Sequence, residues 1–225
     1  MRRSARPHQP SGVVPGYQAA RVRRRSALRG SATVANSERR RRCHYQAVSD
    51  VRVVQTHALS DSDRKALRRL LDEAYEGEFS DEDWMHALGG WHAIVGDAAS
   101  PVAHASVVER RMIVGARELR AGYVEAVATF PTGQRTGLGT IVMQAIGNLI
   151  RAGFDLGVLS TGEHAFYQRL GWEHWRGPSY VRAVDGTTAR SADDDDGIMV
   201  LRCVASKDLD ATTAIVCDAR SGDSW

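Results

Sequence analysis

Cysteine is scarce in this chain of 225 residues. Cys43, Cys203 and Cys217 are an odd, sparse set that suggests no disulfide framework, and their spacing fits no zinc site. A reducing compartment such as the cytoplasm is the natural setting. No apolar run approaches the roughly 18 residues that a membrane-crossing helix needs. Internal repeats are absent. His57, His86, His92, His104, His164 and His174 stand at no metal-ligand spacing, so none is assigned to chemistry and no metal is expected. Neither Gly-x-Gly-x-x-Gly nor Gly-Lys-Ser/Thr occurs, which sets aside the usual dinucleotide fingerprint and phosphate loop.

Charge is unevenly placed. Residues 1–45 carry twelve arginines against one acid, Glu38, whereas residues 46–225 carry a net charge of −8. The N-terminal segment has few large apolar residues and lacks the apolar core of a signal peptide. We expect a basic, disordered arm over 1–45 and one folded domain over 46–225. A nucleic-acid-binding or targeting role for the arm, or an incorrectly assigned start codon, is an alternative to be weighed beside it.

The most informative stretch runs from Tyr123 to Ile150. Tyr123–Thr129 is apolar and β-branched, as a buried strand should be. Gln134-Arg135-Thr136-Gly137-Leu138-Gly139 follows, a turn of the form Gln-x-x-Gly-x-Gly. Leu138, Ile141, Val142, Ala145, Ile146 and Leu149 then recur along one face of an amphipathic helix. A glycine turn opening a helix gathers unpaired N–H groups at its positive end, which suits a pyrophosphate. Taken alone, the turn also fits a helix start with no ligand.

Elsewhere, Val51–Thr56 reads as a strand. A helix capped at Ser60 or Asp61 carries the stripe Leu67, Leu70, Leu71 and Ala74 and ends at Gly77. Ser80 and Asp83 resemble a capping pair for a short helix that stops at Gly89-Gly90. Trp91–Val95 and Val102–Arg111 read as a hairpin, and Arg117–Thr129 as a long strand beside it. After the central helix come a strand over Phe154–Ser160, a second helix, and closing strands over Trp172–Val184 and Gly197–Val204. The fold class expected is α/β (α+β), a mixed sheet with helices on both faces.

The Gln-x-x-Gly-x-Gly turn after a buried strand, followed about thirty residues later by Tyr167-Gln168-Arg169-Leu170-Gly171-Trp172, resembles the GNAT superfamily of N-acetyltransferases. A closer resemblance, over about residues 50–225, is to the aminoglycoside 2'-N-acetyltransferases of actinobacteria. It is carried by Gly77-Glu78-Phe79-Ser80-Asp81-Glu82-Asp83-Trp84 with Gly89-Gly90, by His104-Ala105, Arg110-Arg111 and Gly122-Tyr123-Val124-Glu125, and by Asp194–Gly197 and Gly222-Asp223-Ser224-Trp225. This chain departs from that family at Ala126, where glycine is usual, and in a slightly short link from Ser160 to Tyr167.

The resemblance implies acetyl-CoA as co-substrate and an aminoglycoside, or another polyamine small molecule, as acceptor. Cofactor contacts would come from Val127, Ala128 and Thr129 at the strand end and from Gln134, Arg135, Thr136, Gly137, Leu138, Gly139 and Thr140. An acceptor amine must lose a proton to attack a thioester, and Glu125 is assigned that base role. Tyr167 would protonate the leaving thiolate, and the N–H of Val127 would stabilise the oxyanion. Glu78, Asp83, Glu125, Ala126, Ser160, Asp195 and the terminal carboxylate of Trp225 would meet the polycation.

Blander readings stand beside these. Glu125 could face solvent, and Tyr167 could be a core tyrosine. Glu78 and Asp83 could be helix-end charges, Asp193–Asp196 a solvated loop or a cation clamp, and Trp84 a buried core residue rather than a stacking one. Arg110-Arg111 reads most simply as a hairpin edge. A cell-wall amino sugar, a polyamine-like metabolite or a protein amine are alternative acceptors. A nucleic-acid-binding protein acting through the arm is the non-enzymatic alternative, with nucleic acid the less favoured partner. A homodimer off the membrane is expected from the superfamily.

Overall fold

The computed structural model describes residues 51–225, so the basic arm expected over 1–45 lies outside the described residues. In chain order the elements are β1 (Arg52–Gln55), α1 (Asp61–Ala74), α2 (Asp81–Ala87), β2 (Trp91–Asp97), β3 (Ser100–Val114), β4 (Arg117–Thr129), α3 (Leu138–Gly153), β5 (Leu156–Ser160), α4 (His164–Gln168), β6 (Glu173–His174), β7 (Ser179–Arg182), β8 (Thr188–Arg190), β9 (Ile198–Arg202) and β10 (Ile215–Asp218). All the strands join one mixed sheet in the order β6-β9-β5-β4-β3-β10-β7-β8, with β2 also on β3 and β1 on β2.

Strand alternation divides the core between two faces. Ala93 and Val95 of β2 pack with Val142, Met143, Ile146 and Ile150 of α3, whereas Ile94 between them packs against Leu67 of α1. The sheet therefore has helices on both sides, as expected. The buried arc of α3 runs through Leu138, Val142, Met143, Ile146 and Ile150, with Ile141, Ala145 and Leu149 on its flank. Each such aliphatic side chain contributes about 1.5–3 kcal/mol by leaving water. Register partners Gly122 and Gly157 open the hollow that receives Ile150. A Cβ on Gly122 would lie 2.9 Å from Ile150 Cγ1, and one on Gly157 3.0 Å from Ile150 Cγ2.

Local chemistry starts both N-terminal helices. Ser60 caps α1 and Ser80 caps α2, each in a reciprocal box with Asp63 or Asp83 three residues on. A cap of this kind contributes about 1 kcal/mol.

The expected closing strand over Trp172–Val184 is instead two strands at opposite ends of the sheet. β6 pairs with β9, and β7 pairs with β10. Between them the N–H groups of Arg176 and Gly177 both donate to the carbonyl of Ala211. Gly177 crosses the 212–213 backbone so closely that a Cβ would lie 1.9 Å from Thr213 O. β8 and β10 were not expected at all. β10 lies antiparallel to the end of β3 and brings the C-terminal residues back to the middle of the sheet.

Candidate active site

Two irregularities in β4 make the site. First, β4 runs parallel to β5 only through Ala121↔Leu156, Gly122↔Gly157 and Tyr123↔Val158, while β4 itself continues to Thr129. Beyond Tyr123 the two strands part. Second, the register with β3 slips where Ser106↔Glu125 gives way to His104↔Ala128, so Ala126 and Val127 oppose Ala105 alone. This is a β-bulge, and Ala126 adopts φ +51 within it. Three side chains brace it. The hydroxyl of Ser106 donates to Glu125 O (3.0 Å), His104 Nδ1 to Ala126 O (2.8 Å) and the hydroxyl of Tyr75 to Val127 O (3.1 Å). The left-handed φ gives a physical reason for glycine at the Ala126 position.

Glu125 projects from the bulge and is largely buried. Its Oε1 accepts from Arg220 Nη1 at 2.6 Å. Burial raises the carboxyl pKa, and the charge and hydrogen bond of Arg220 work against that rise. Arg220 comes from the segment after β10, which folds back over the sheet. Its guanidinium lies over the ring of Tyr123 (5.5 Å), as does that of Arg110 (4.7 Å). Arg110 is therefore more than a hairpin edge: it donates to Ser224 O (2.7 Å) and Asp218 O (2.8 Å) and ties the segment down. Ser221 donates to Glu82 Oε1, and Trp225 is buried among Tyr123, Trp175 and Ile215.

Tyr167 sits on α4, 7 % exposed, edge-on to Phe166 and Trp172. Burial pushes its phenol above the ordinary value, and a hydrogen bond with Thr161 partly opposes this. The group stays protonated at neutral pH. α4 begins only four residues after β5 ends, and Glu163 gives it no side-chain cap.

The glycine turn lies between the end of β4 and the start of α3. Arg135 (φ +63) and Gly137 (φ +94) both take left-handed backbone. No side chain caps α3 at Gly137, and the first helical bond is Ile141 N–H to Gly137 O. The N–H groups of Leu138, Gly139 and Thr140 thus emerge from the helix end without intrahelical partners. A Cβ on Gly139 would stand 3.4 Å from Thr129 Oγ1 and 3.5 Å from Phe166, so the turn, the end of β4 and α4 are in mutual contact. The turn can hold phosphate oxygens by backbone alone.

The other residues singled out from the sequence are placed as follows. Glu78 is exposed after α1, and Ser160 is exposed at the end of β5, where it pairs with Ile198. Asp83 is engaged in capping α2. Asp195 accepts from both Arg190 and Ser179, and the Arg190 guanidinium holds its pKa down at about 2. Trp84 is half-buried between the two clusters that flank α1. Sequence reasoning missed Arg220, and it gave no site role to Glu82, Asp194 and Asp223, which it named only within the segments that carry the family resemblance. The carboxyl of Asp194 is raised by burial and by the nearby charges of Asp223, Asp193 and Asp195. No local pattern announces their grouping, because they meet only when the C-terminal segment folds back.

Comparison with known proteins shows the family and the fold. Residues 55–175 match the acetyltransferase (GNAT) domain family. The chain is 43% identical over 178 residues to the aminoglycoside 2'-N-acetyltransferase of Mycolicibacterium fortuitum, covering 77% of this chain and 91% of that protein. The crystal structure of a GNAT family N-acetyltransferase from Escherichia coli in complex with CoA superposes with a TM-score of 0.53 at 14% identity, over 75% of this chain and 88% of that one, a likeness of fold. The chain belongs to the GNAT acetyltransferase family, in the branch of the aminoglycoside 2'-N-acetyltransferases.

Proposed function

We propose that the protein transfers acetyl from acetyl-CoA to the 2'-amino group of aminoglycosides by direct attack in a ternary complex. The observation that carries this reading is Glu125, a mostly buried carboxylate on a braced bulge where β4 parts from β5. Acetyl-CoA would lie along that opening, its pyrophosphate at the α3 end, held by the backbone from Gln134 to Thr140. Val127, Ala128 and Thr129 border the thioester. Glu125 takes a proton from the acceptor ammonium, directly or through one water. The amine nitrogen attacks the thioester carbon, and the oxyanion accepts a hydrogen bond from Val127 N–H. The C–S bond breaks as Tyr167 donates its proton to the departing thiolate, and the second proton that the nitrogen sheds on forming the amide passes through water to restore the phenol.

Several ammonium groups on the acceptor call for several carboxylates. Asp194 and Asp223, coupled in charge, add to Glu125 in that role. Glu78, Asp83, Ser160, Asp195 and Trp225 remain candidates from the family resemblance. Asp83, Asp194, Asp195 and Asp223 each accept a hydrogen bond within the chain, and Asp195 is further neutralised by Arg190, so it supplies shape more than net charge. The same reading places a homodimer in the cytoplasm, and light scattering tests the dimer.

The deciding assay is thiol release from acetyl-CoA with tobramycin or kanamycin B, which carry a 2' amine, against kanamycin A, which carries a hydroxyl there. Turnover of the first pair alone supports the reading. Equal turnover of kanamycin A rejects the 2' position.

A further inference from the structure

Thr56, His92 and His104 form a buried chain that the chemistry above does not use. Thr56 Oγ1 lies 2.8 Å from His92 Nε2, and His92 Nδ1 lies 2.9 Å from His104 Nε2. His104 Nδ1 lies 2.8 Å from the carbonyl oxygen of Ala126. Both imidazoles are completely shielded from solvent.

The last acceptor fixes every proton in the chain. A carbonyl can only accept, so His104 carries its hydrogen on Nδ1 and presents a bare Nε2. That nitrogen accepts from His92 Nδ1–H. His92 Nε2 is then bare and accepts from the Thr56 hydroxyl, which shares its hydrogen with Gly90 O at 3.1 Å and takes a hydrogen bond from Gly89 N–H at 2.9 Å. Every donor points the same way. Burial holds the pKa of His104 at about 4, and burial together with the charges of His104 and Arg64 holds that of His92 at about 3. Protonation therefore does not break the chain at neutral pH. Proton conduction is excluded as its purpose, since a carbonyl cannot pass a proton onward.

What the chain holds is the bulge. Ala126 sits in left-handed backbone between Glu125 and Val127. Rotating the Ala126–Val127 peptide would turn the Val127 N–H away from the opening between β4 and β5, and slippage of the bulge would carry Glu125 with it. We propose that His104, seated on His92 and Thr56, is a positioning residue: by gripping the Ala126 carbonyl it aims Glu125 and Val127 N–H at the reacting amine and carbonyl. This rests on the roles proposed above for Glu125 and Val127.

Two measurements test it. Long-range proton–nitrogen correlation on the full-length protein without substrate should find both rings as Nδ1–H tautomers. In kinetics, with native turnover of tobramycin as the control, His104→Phe should lower kcat at least 30-fold and leave the KM for acetyl-CoA within threefold. His104→Asn, whose amide nitrogen stands in for Nδ1, should keep at least a third of native kcat, a rescue that mere space-filling does not predict. An Nε2–H tautomer on His104, or folded His104→Phe with kcat within threefold of native, overturns the proposal. If His104→Phe does not fold, His92→Phe and Thr56→Val probe the same chain one and two bonds back: a lowered kcat upholds it, and native kcat in both overturns it. If the native protein acetylates no amine, the functional reading fails separately, and the tautomers alone decide the chain.

Discussion

Arg220 Nη1 stands 2.6 Å from Glu125 Oε1, and the two side chains are only 18% and 15% exposed. On the role proposed for Glu125, the guanidinium occupies the kind of position an acceptor ammonium needs, so substrate would share or displace it. Burial raises the Glu125 pKa and Arg220 pulls it down. Arg220→Ala should therefore move the acid limb of the kcat/KM profile to higher pH, because the base then holds its proton more tightly. Glu125→Gln should lower kcat/KM by roughly 10²–10⁴-fold at every pH. A pH–rate series on both variants checks this, and an unmoved limb in Arg220→Ala would separate Arg220 from the base.

Tyr167→Phe should cost roughly 10²-fold in kcat with little change in acceptor KM if, as proposed, the hydroxyl serves the leaving thiolate. The phenol pKa lies above the ordinary value, so Tyr167 should produce no alkaline limb below pH 9. Stopped-time thiol assays from pH 6 to 9 read both outcomes.

Acid should unfold the protein through the two buried histidines. Their pKa values are depressed to about 3 and 4 in the folded protein from an ordinary 6.5. Above 6.5 folded and unfolded chains are alike at these sites. As pH falls below it, the unfolded chain binds protons that the folded one refuses, and stability drops by about 1.4 kcal/mol per pH unit for each histidine. Urea melts between pH 7 and 4.5 should show the midpoint falling, and His104→Asn should flatten the slope.

Backbone strain gives opposite predictions at two positions. Ala126 bears the left-handed cost of an L residue, about 1–2 kcal/mol, against about 0.5–1 kcal/mol of extra chain entropy for glycine. Ala126→Gly should thus stabilise by about 0.5 kcal/mol. Gly137 (φ +94) has open space where an added methyl would stand, so by the same two terms Gly137→Ala should destabilise by about 0.5–1 kcal/mol. It should also raise the KM for acetyl-CoA. Denaturation midpoints and acetyl-CoA titrations check the pair.

Local chemistry was legible in the sequence where it acts within a few residues. Ser60, offered beside Asp61, and Ser80 with Asp83 announced two helix starts, and the glycine turn announced the start of α3. Glu125 and Tyr167 were singled out through the family resemblance, and their burial came only from the fold. Arg220 was not legible, since it meets Glu125 across 95 positions. The strand expected over Trp172–Val184 failed because Gly177 is pressed against the backbone at Thr213, a contact no local pattern encodes. His92 and His104 did leave a signal: each is a polar residue within an apolar strand, the mark of a partnered buried group.

The fold-back after β10 also bears on the order of assembly. Arg110 reaches Ser224 across 114 positions, so its loop closes late compared with the local turns of α1 and α3. Contacts formed after the rate-limiting step govern escape from the native state more than arrival at it. Arg110→Ala and Arg220→Ala should therefore quicken unfolding in a chevron experiment while leaving the refolding arm nearly in place. The acceptor wall would be the last part of the molecule to form and the first to let go.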